Sequence, residues 1–233
     1  MNQSEKNDFM DEDLTRKYVQ LTDKELYLIK QCYYLNCIVY AIGYLKLALV
    51  GCEELIKIKQ SENSARNEST ENIRKGWIII PILYNIQHSL EIMVKFFSQY
   101  LLEDVNITKI EKSHDFKDLF DKLRKGIQNK NIKKPLSTEL KISLDIFYIN
   151  VNKYHRLSFL KNFLDISFIE FFDNNNSIFR YPLSKVDIVL SPFSLADKID
   201  LNEIEMIKID VENLEEHFGK IQTILQESKS PQQ

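Results

Sequence analysis

Tyr84, His88, Glu91 and Lys95 follow one another at spacings of four, three and four inside a stretch, Trp77 to Phe97, that is otherwise almost wholly apolar. On a helix those spacings put all four on one face. A helix apolar on most sides is buried, and charges inside it must be paired or hydrogen-bonded. Two kinds of chemistry fit this stripe. One is a structural network in which Glu91 pairs with Arg180, and Lys95 with Asp115 or Glu103. The other is a polar pocket for a phosphate-bearing ligand, with Arg180, Lys95 and His88 as contacts. Arg180 sits between Phe179 and Tyr181 in an aromatic segment suited to dock on a bundle. Arginine also suits bidentate pairing with a carboxylate. The expectation is a Glu91–Arg180 contact, direct or through one water, completed by Tyr84 or His88. His114, Asp115 and Tyr181 belong to the same polar pocket.

Two further constellations carry charge. Lys122, Arg124, Lys125, Lys130, Lys133 and Lys134 form a run with no acidic residue among them. It can neutralise phosphates of a nucleic acid or simply be a solvated loop. His155 and Arg156 could act together as acid and charge clamp on RNA without a metal, although neighbours on a helix point about 100° apart. The pair His88-x-x-Glu91 has metal-like spacing, but a di-iron helix bundle uses Glu-x-x-His twice. No second copy is present, and no metal or other cofactor is expected.

The elements that must position these groups are long helices. Gly and Pro number five each in 233 residues, which leaves few turns. Hydrophobic content of 44% and charged content of 28% are those of a globular domain, and the net charge of −3 is too near neutral to announce nucleic acid. Cys32, Cys37 and Cys52 are odd in number and contain no CxxC. That argues against disulfides and zinc and for a reducing, cytoplasmic compartment. The acidic N-terminus does not read as a signal peptide.

Residues 1–22 read as a loose lead-in. A first helix is expected over Asp23 to Gln60. Its middle is apolar for 21 residues apart from Asn36 and Lys46, roughly 31 Å of helix and enough to span a bilayer. Tyrosines spread through it, and Glu53 and Glu54 follow directly, which favours the central helix of a bundle over a membrane span. A second helix runs from Asn72 to about Leu102, either starting properly near Pro81 or kinked there. Asp115 caps a third, which ends at Gly126. Pro135 and Ser137 start a fourth, continuing to about Leu160. Residues 168–183 read as a small β-hairpin or extended insert. A last helix, Glu203 to Gln226, carries Ile204, Ile207, Val211, Leu214, Phe218, Ile221 and Leu225 at steps of three and four. The reading is mainly α, a bundle of four or five helices: one domain, 23–226, followed by a frayed tail, 227–233.

The helix written with Asn85, His88, Ser89, Leu90, Glu91 and Lys95, followed by His114-Asp115 and then Leu119 and Leu123, resembles the HEPN superfamily of helical bundles. Phe179 to Pro182 is similar to an Arg-Tyr-Pro element of some HEPN-like proteins. The resemblance covers about residues 75–125. It implies a four- or five-helix bundle, commonly dimeric and often tied to RNA cleavage or to nucleotide- and RNA-centred defence. HEPN ribonucleases carry an Arg followed four to six residues later by His. None of the six arginines here precedes a histidine at that spacing. The expected function is therefore a non-catalytic binding or regulatory protein in a nucleotide-, RNA- or phage-defence-linked pathway, acting on a protein partner or an RNA or nucleotide ligand. The alternative is a divergent metal-free ribonuclease, a toxin or abortive-infection effector, with His155 and Arg156 as its catalytic pair. A homodimer is expected, because the first helix has more apolar surface than one bundle covers and small residues at Gly43, Ala48 and Gly51.

Overall fold

The seven apolar residues spaced by threes and fours near the C-terminus form one face of a helix, and all seven are buried. At about 1.5–3 kcal/mol for each large side chain taken from water, that face alone contributes on the order of 10 kcal/mol before chain entropy is counted. The computed structural model describes residues 23–61, 68–103, 110, 116–133, 135–154 and 199–227. They form a mainly α bundle of five helices: α1 (Asp23–Ser61), α2 (Glu68–Leu101), α3 (Phe116–Gln128), α4 (Thr138–Tyr154) and α5 (Leu201–Glu227). Among the described residues there is no strand, only an isolated antiparallel bridge between Leu102 and Ile132. The insert expected at 168–183, the Asp115 cap and the continuation of the fourth helix to Leu160 lie outside the described residues.

The chain divides into two compact units, Met1–Asn36 and Cys37–Gln233. The first shows the opening turns of α1, where the Tyr33 and Tyr34 rings meet edge-on at 5.9 Å. Everything below concerns the second.

In that unit α2 packs on α3 and α4, α3 on α4, and α4 on α5. Phe147 of α4 is the hub. Its ring lies 5.5 Å from Phe97 of α2, 5.4 Å from Phe120 of α3 and 5.8 Å from Phe218 of α5. Ser89 of α2 donates to the Ala41 carbonyl of α1 at 2.9 Å, and a Cβ on Gly51 would collide with Ile82, so α1 and α2 approach closely. Salt links from Lys46 to Glu215 (3.7 Å) and from Glu53 to Lys208 (3.8 Å) run α5 antiparallel alongside α1.

Helix ends follow local chemistry. Ser137 caps α4, its hydroxyl accepting the Leu140 N–H at 3.2 Å. Asp200 and Glu203 form a reciprocal capping box at 2.8 Å each way. That box starts α5 at Leu201, two residues before the sequence expectation. Helix α2 begins at Glu68, four residues earlier than expected, and takes Pro81 into its interior on an exposed face. Gly126 does not end α3. It lies within the helix, where a Cβ would overlap the Leu102 side chain. The stop comes at Lys130, whose φ is 58°. Lys130 N–H bonds the Ile127 carbonyl at 3.1 Å and Asn131 N–H the Gly126 carbonyl at 2.9 Å, the pattern of a Schellman cap. A left-handed backbone penalises any residue with a Cβ. Lys130→Gly is therefore expected to stabilise the protein by about 0.5–1 kcal/mol, seen as a higher urea midpoint at unchanged m.

Candidate functional site

Glu91 and Lys95 meet each other. The Lys95 ammonium donates to Glu91 Oε1 at 2.8 Å, across one helical turn, with side-chain exposures of 17% and 6%. The sequence had sought a separate partner for each charge, and the pair within α2 was missed although its spacing allowed it. Arg180, Tyr181, His114 and Asp115 lie outside the described residues. Elsewhere on the stripe aromatic rings pack. Tyr84 stacks on His88 at 5.6 Å, and Tyr44 of α1 meets the same imidazole edge-on at 4.5 Å. Gln87 is buried beside the stripe and donates to the Tyr154 carbonyl at 2.9 Å. Each of these contacts lies within α2 or joins it to a neighbouring helix.

The basic run divides. Lys122 pairs with Asp118 one turn away. Lys133 donates to the Gln99 carbonyl at 2.7 Å, and its backbone N–H bonds the Leu101 carbonyl at 2.8 Å, so it caps the C-terminus of α2. A cation there also meets the negative end of the helix dipole. Lys125 and Lys130 are exposed, and Lys134 lies outside the described residues.

Arg124 does something else. Its guanidinium carbon sits 4.1 Å above the centre of the Tyr148 ring. The same ring stacks on Phe120 at 5.3 Å and 24°. These three line a groove of about 340 Å³ between α3 and α4, with Ile127, Leu136 and Leu144 as apolar wall and Gln128, Lys141 and Asp145 as polar lining. The helical repeat places them. Phe120, Arg124 and Gln128 are four apart on α3, and Lys141, Asp145 and Tyr148 share a face of α4. Sequence reasoning included Arg124 only as part of the basic run and missed the other five. The same-face spacing on the fourth helix was the signal that could have found them.

Two other polar clusters are internal. Asp210 of α5 accepts the Tyr154 hydroxyl at 2.7 Å and pairs with Lys153. Burial, and then the Asp210 charge and hydrogen bond, raise the Tyr154 phenol well above its ordinary range. Ser143 and His217 lie within 3.3 Å, Oγ to Nδ1. Burial, and then the Lys220 charge, lower the His217 pKa, so its ring is neutral near pH 7. A serine beside a neutral imidazole has the types of a nucleophile and base. Ser143 is only 2% exposed, however, and no substrate carbonyl or phosphate could reach it. The pair links α4 to α5. His155 and Arg156 lie outside the described residues.

No family model matches this chain, and neither a curated protein nor a solved structure matches it.

Proposed function

We propose that the chain is a non-catalytic, HEPN-like binding module that takes a nucleotide, or the end of an RNA, in the α3–α4 groove. The observation that carries this reading is the Arg124 guanidinium held over Tyr148 at the wall of a 340 Å³ groove. Such a pair offers a flat, cationic surface on which a base stacks without regard to its sequence. The volume lies at the low end of small-molecule sites, room for one base and its sugar phosphate rather than a folded RNA. Lys141 supplies a phosphate contact, with Lys125 exposed on the same stretch of α3. Asp145 and Gln128 offer an acceptor and an amide to a base edge. The module reading is supported by contacts within and between helices: Glu91 with Lys95, Tyr84 with His88, and Ser143 with His217.

Titration calorimetry of the full chain with nucleoside monophosphates and a short single-stranded RNA tests the proposal. Binding of the RNA is expected to weaken with salt, with a shallow log–log slope of about −0.7 to −1.4 for one or two phosphate contacts. Arg124→Ala and Tyr148→Ala should each weaken it about 10-fold or more, while Lys122→Ala should leave it unchanged. Absence of any binding at low salt would remove this function from the groove. Total RNA should stay intact in EDTA. Cleavage that disappears in His155→Ala would put the ribonuclease reading in its place.

A further inference from the structure

Helix α1 is apolar on two opposite sides. Ile38, Ala41, Leu45, Ala48, Cys52 and Leu55, at alternating steps of three and four, are all 0–1% exposed and form its inner seam. Two residues on, about 200° round the helix, the same rhythm recurs at Tyr40, Gly43, Leu47 and Val50. This outer seam faces outward. Tyr40 is 66% exposed, Leu47 59% and Val50 65%, with Val39 beside them at 51%. A Cβ on Gly43 would meet nothing within 4 Å. The two other small residues singled out in the sequence have work inside the protomer: Ala48 lies in the inner seam and Gly51 packs on Ile82.

We infer that this outer seam is a self-association surface, covered by the same seam of a second copy running antiparallel. Three observations select that occupant. First, the steps of three and four that keep a seam straight against a neighbouring helix are a heptad rhythm, and a second copy brings the same rhythm. Second, the seam is self-complementary. With a two-fold axis level with residue 45, Tyr40 of each copy falls opposite Val50 of the other and Leu47 opposite Gly43, whose missing side chain makes room for it. Third, the rim suits a copy and not a bilayer. Lys46 and Glu53 flank the seam, and each is already neutralised within its own protomer by Glu215 and Lys208. Two copies therefore meet without unpaired like charges. The neighbouring α5 carries seven acidic residues against two lysines, which repels an anionic lipid surface.

The area supplies the apolar centre of an interface, and its rim must supply the rest. The four exposed side chains present roughly 400–500 Å² of apolar surface per copy, about half of the ~800 Å² per partner that a standard interface buries. Lys46, Glu53 and Lys57 supply a polar rim of the kind that surrounds such a centre. Within Cys32–Ser61 an 18-residue window has a mean hydropathy of 1.7, and only 28% of it is buried. By length and composition it could also cross a membrane, so the test includes lipid.

Sedimentation equilibrium of the full chain at micromolar concentration should give twice the 27.6 kDa of one chain. Leu47→Glu and Gly43→Lys, both at open surface positions, should raise the dissociation constant at least about 30-fold at unchanged helical circular dichroism. A wild-type mass of 27.6 kDa would overturn the inference, whether the seam is bare or covered by another segment of the chain. Flotation of a monomer with phosphatidylcholine vesicles would give the seam to lipid instead. Variants as dimeric as the wild type would place the interface elsewhere.

Discussion

Lys95→Ala is expected to cost about 3 kcal/mol of stability, because it removes the cation beside a carboxylate that is almost wholly out of water. Glu91 is 6% exposed, and its neighbours on α2 include Leu90, Met93 and Val94, each at 0%. The loss should appear as a lower urea midpoint, with helical content intact in the absence of denaturant. Glu91→Leu with Lys95→Leu gives the informative comparison. Apolar residues often replace a buried ion pair at little cost, whereas breaking one leaves a charge stranded. A double variant milder than Lys95→Ala marks a self-contained pair. A double variant costlier than either single change would mean that a third charge leans on the pair, the role expected of Arg180. Loss of less than about 1 kcal/mol in Lys95→Ala would show that solvent or a further partner supports the carboxylate.

What could be read from the sequence depended on whether the physics was local. The α5 face was legible residue by residue, because burial of one side of a helix writes itself as steps of three and four. The Ser137 cap was legible for the same reason: hydroxyl and amide are three residues apart. The end of α3 was misread because Gly126 has two possible uses. A glycine after an amphipathic run looks like a stop, but here its missing Cβ makes room for Leu102 of another element, and Lys130 takes the left-handed position instead. In the basic run, charge alone does not say where each lysine points. Lys133 turns back to the end of α2, a contact 34 residues away in sequence. The groove needed the pairing of α3 with α4, which no window along the chain contains. The polar stripe was placed correctly on a buried helix, and the contact of Glu91 with Lys95 over one turn is the part the reading did not include.

The second large effect expected is alkaline. Cys52 is completely buried on the inner seam of α1, and burial pushes its thiol from an ordinary 9.0 up to about 12, with Glu212 and Glu53 adding to the rise and Lys208 opposing it. Tyr154 is raised in the same direction by burial and by Asp210. Both groups are neutral when protonated, so the folded state holds its protons at a pH where the unfolded chain has released them. The stabilisation is complete below the unfolded-state values. It is lost as pH climbs toward the folded ones, at about 1.4 kcal/mol per pH unit per group. Cys52 acts first, from about pH 9, and Tyr154 joins above about pH 10. At pH 11 the thiol alone accounts for about 3 kcal/mol, a large part of a typical domain's margin. Urea titrations between pH 8 and 11 under reducing conditions should show stability falling throughout. The interval from about pH 9 to 10 isolates the thiol. There Cys52→Ala should flatten the slope while lowering stability at pH 8 by about 1 kcal/mol for the small cavity left behind. A wild-type curve that stays level from pH 9 to 10 would mean that the seam opens enough to let water reach Cys52, and the close packing of α1 on α2 would have to be abandoned with it.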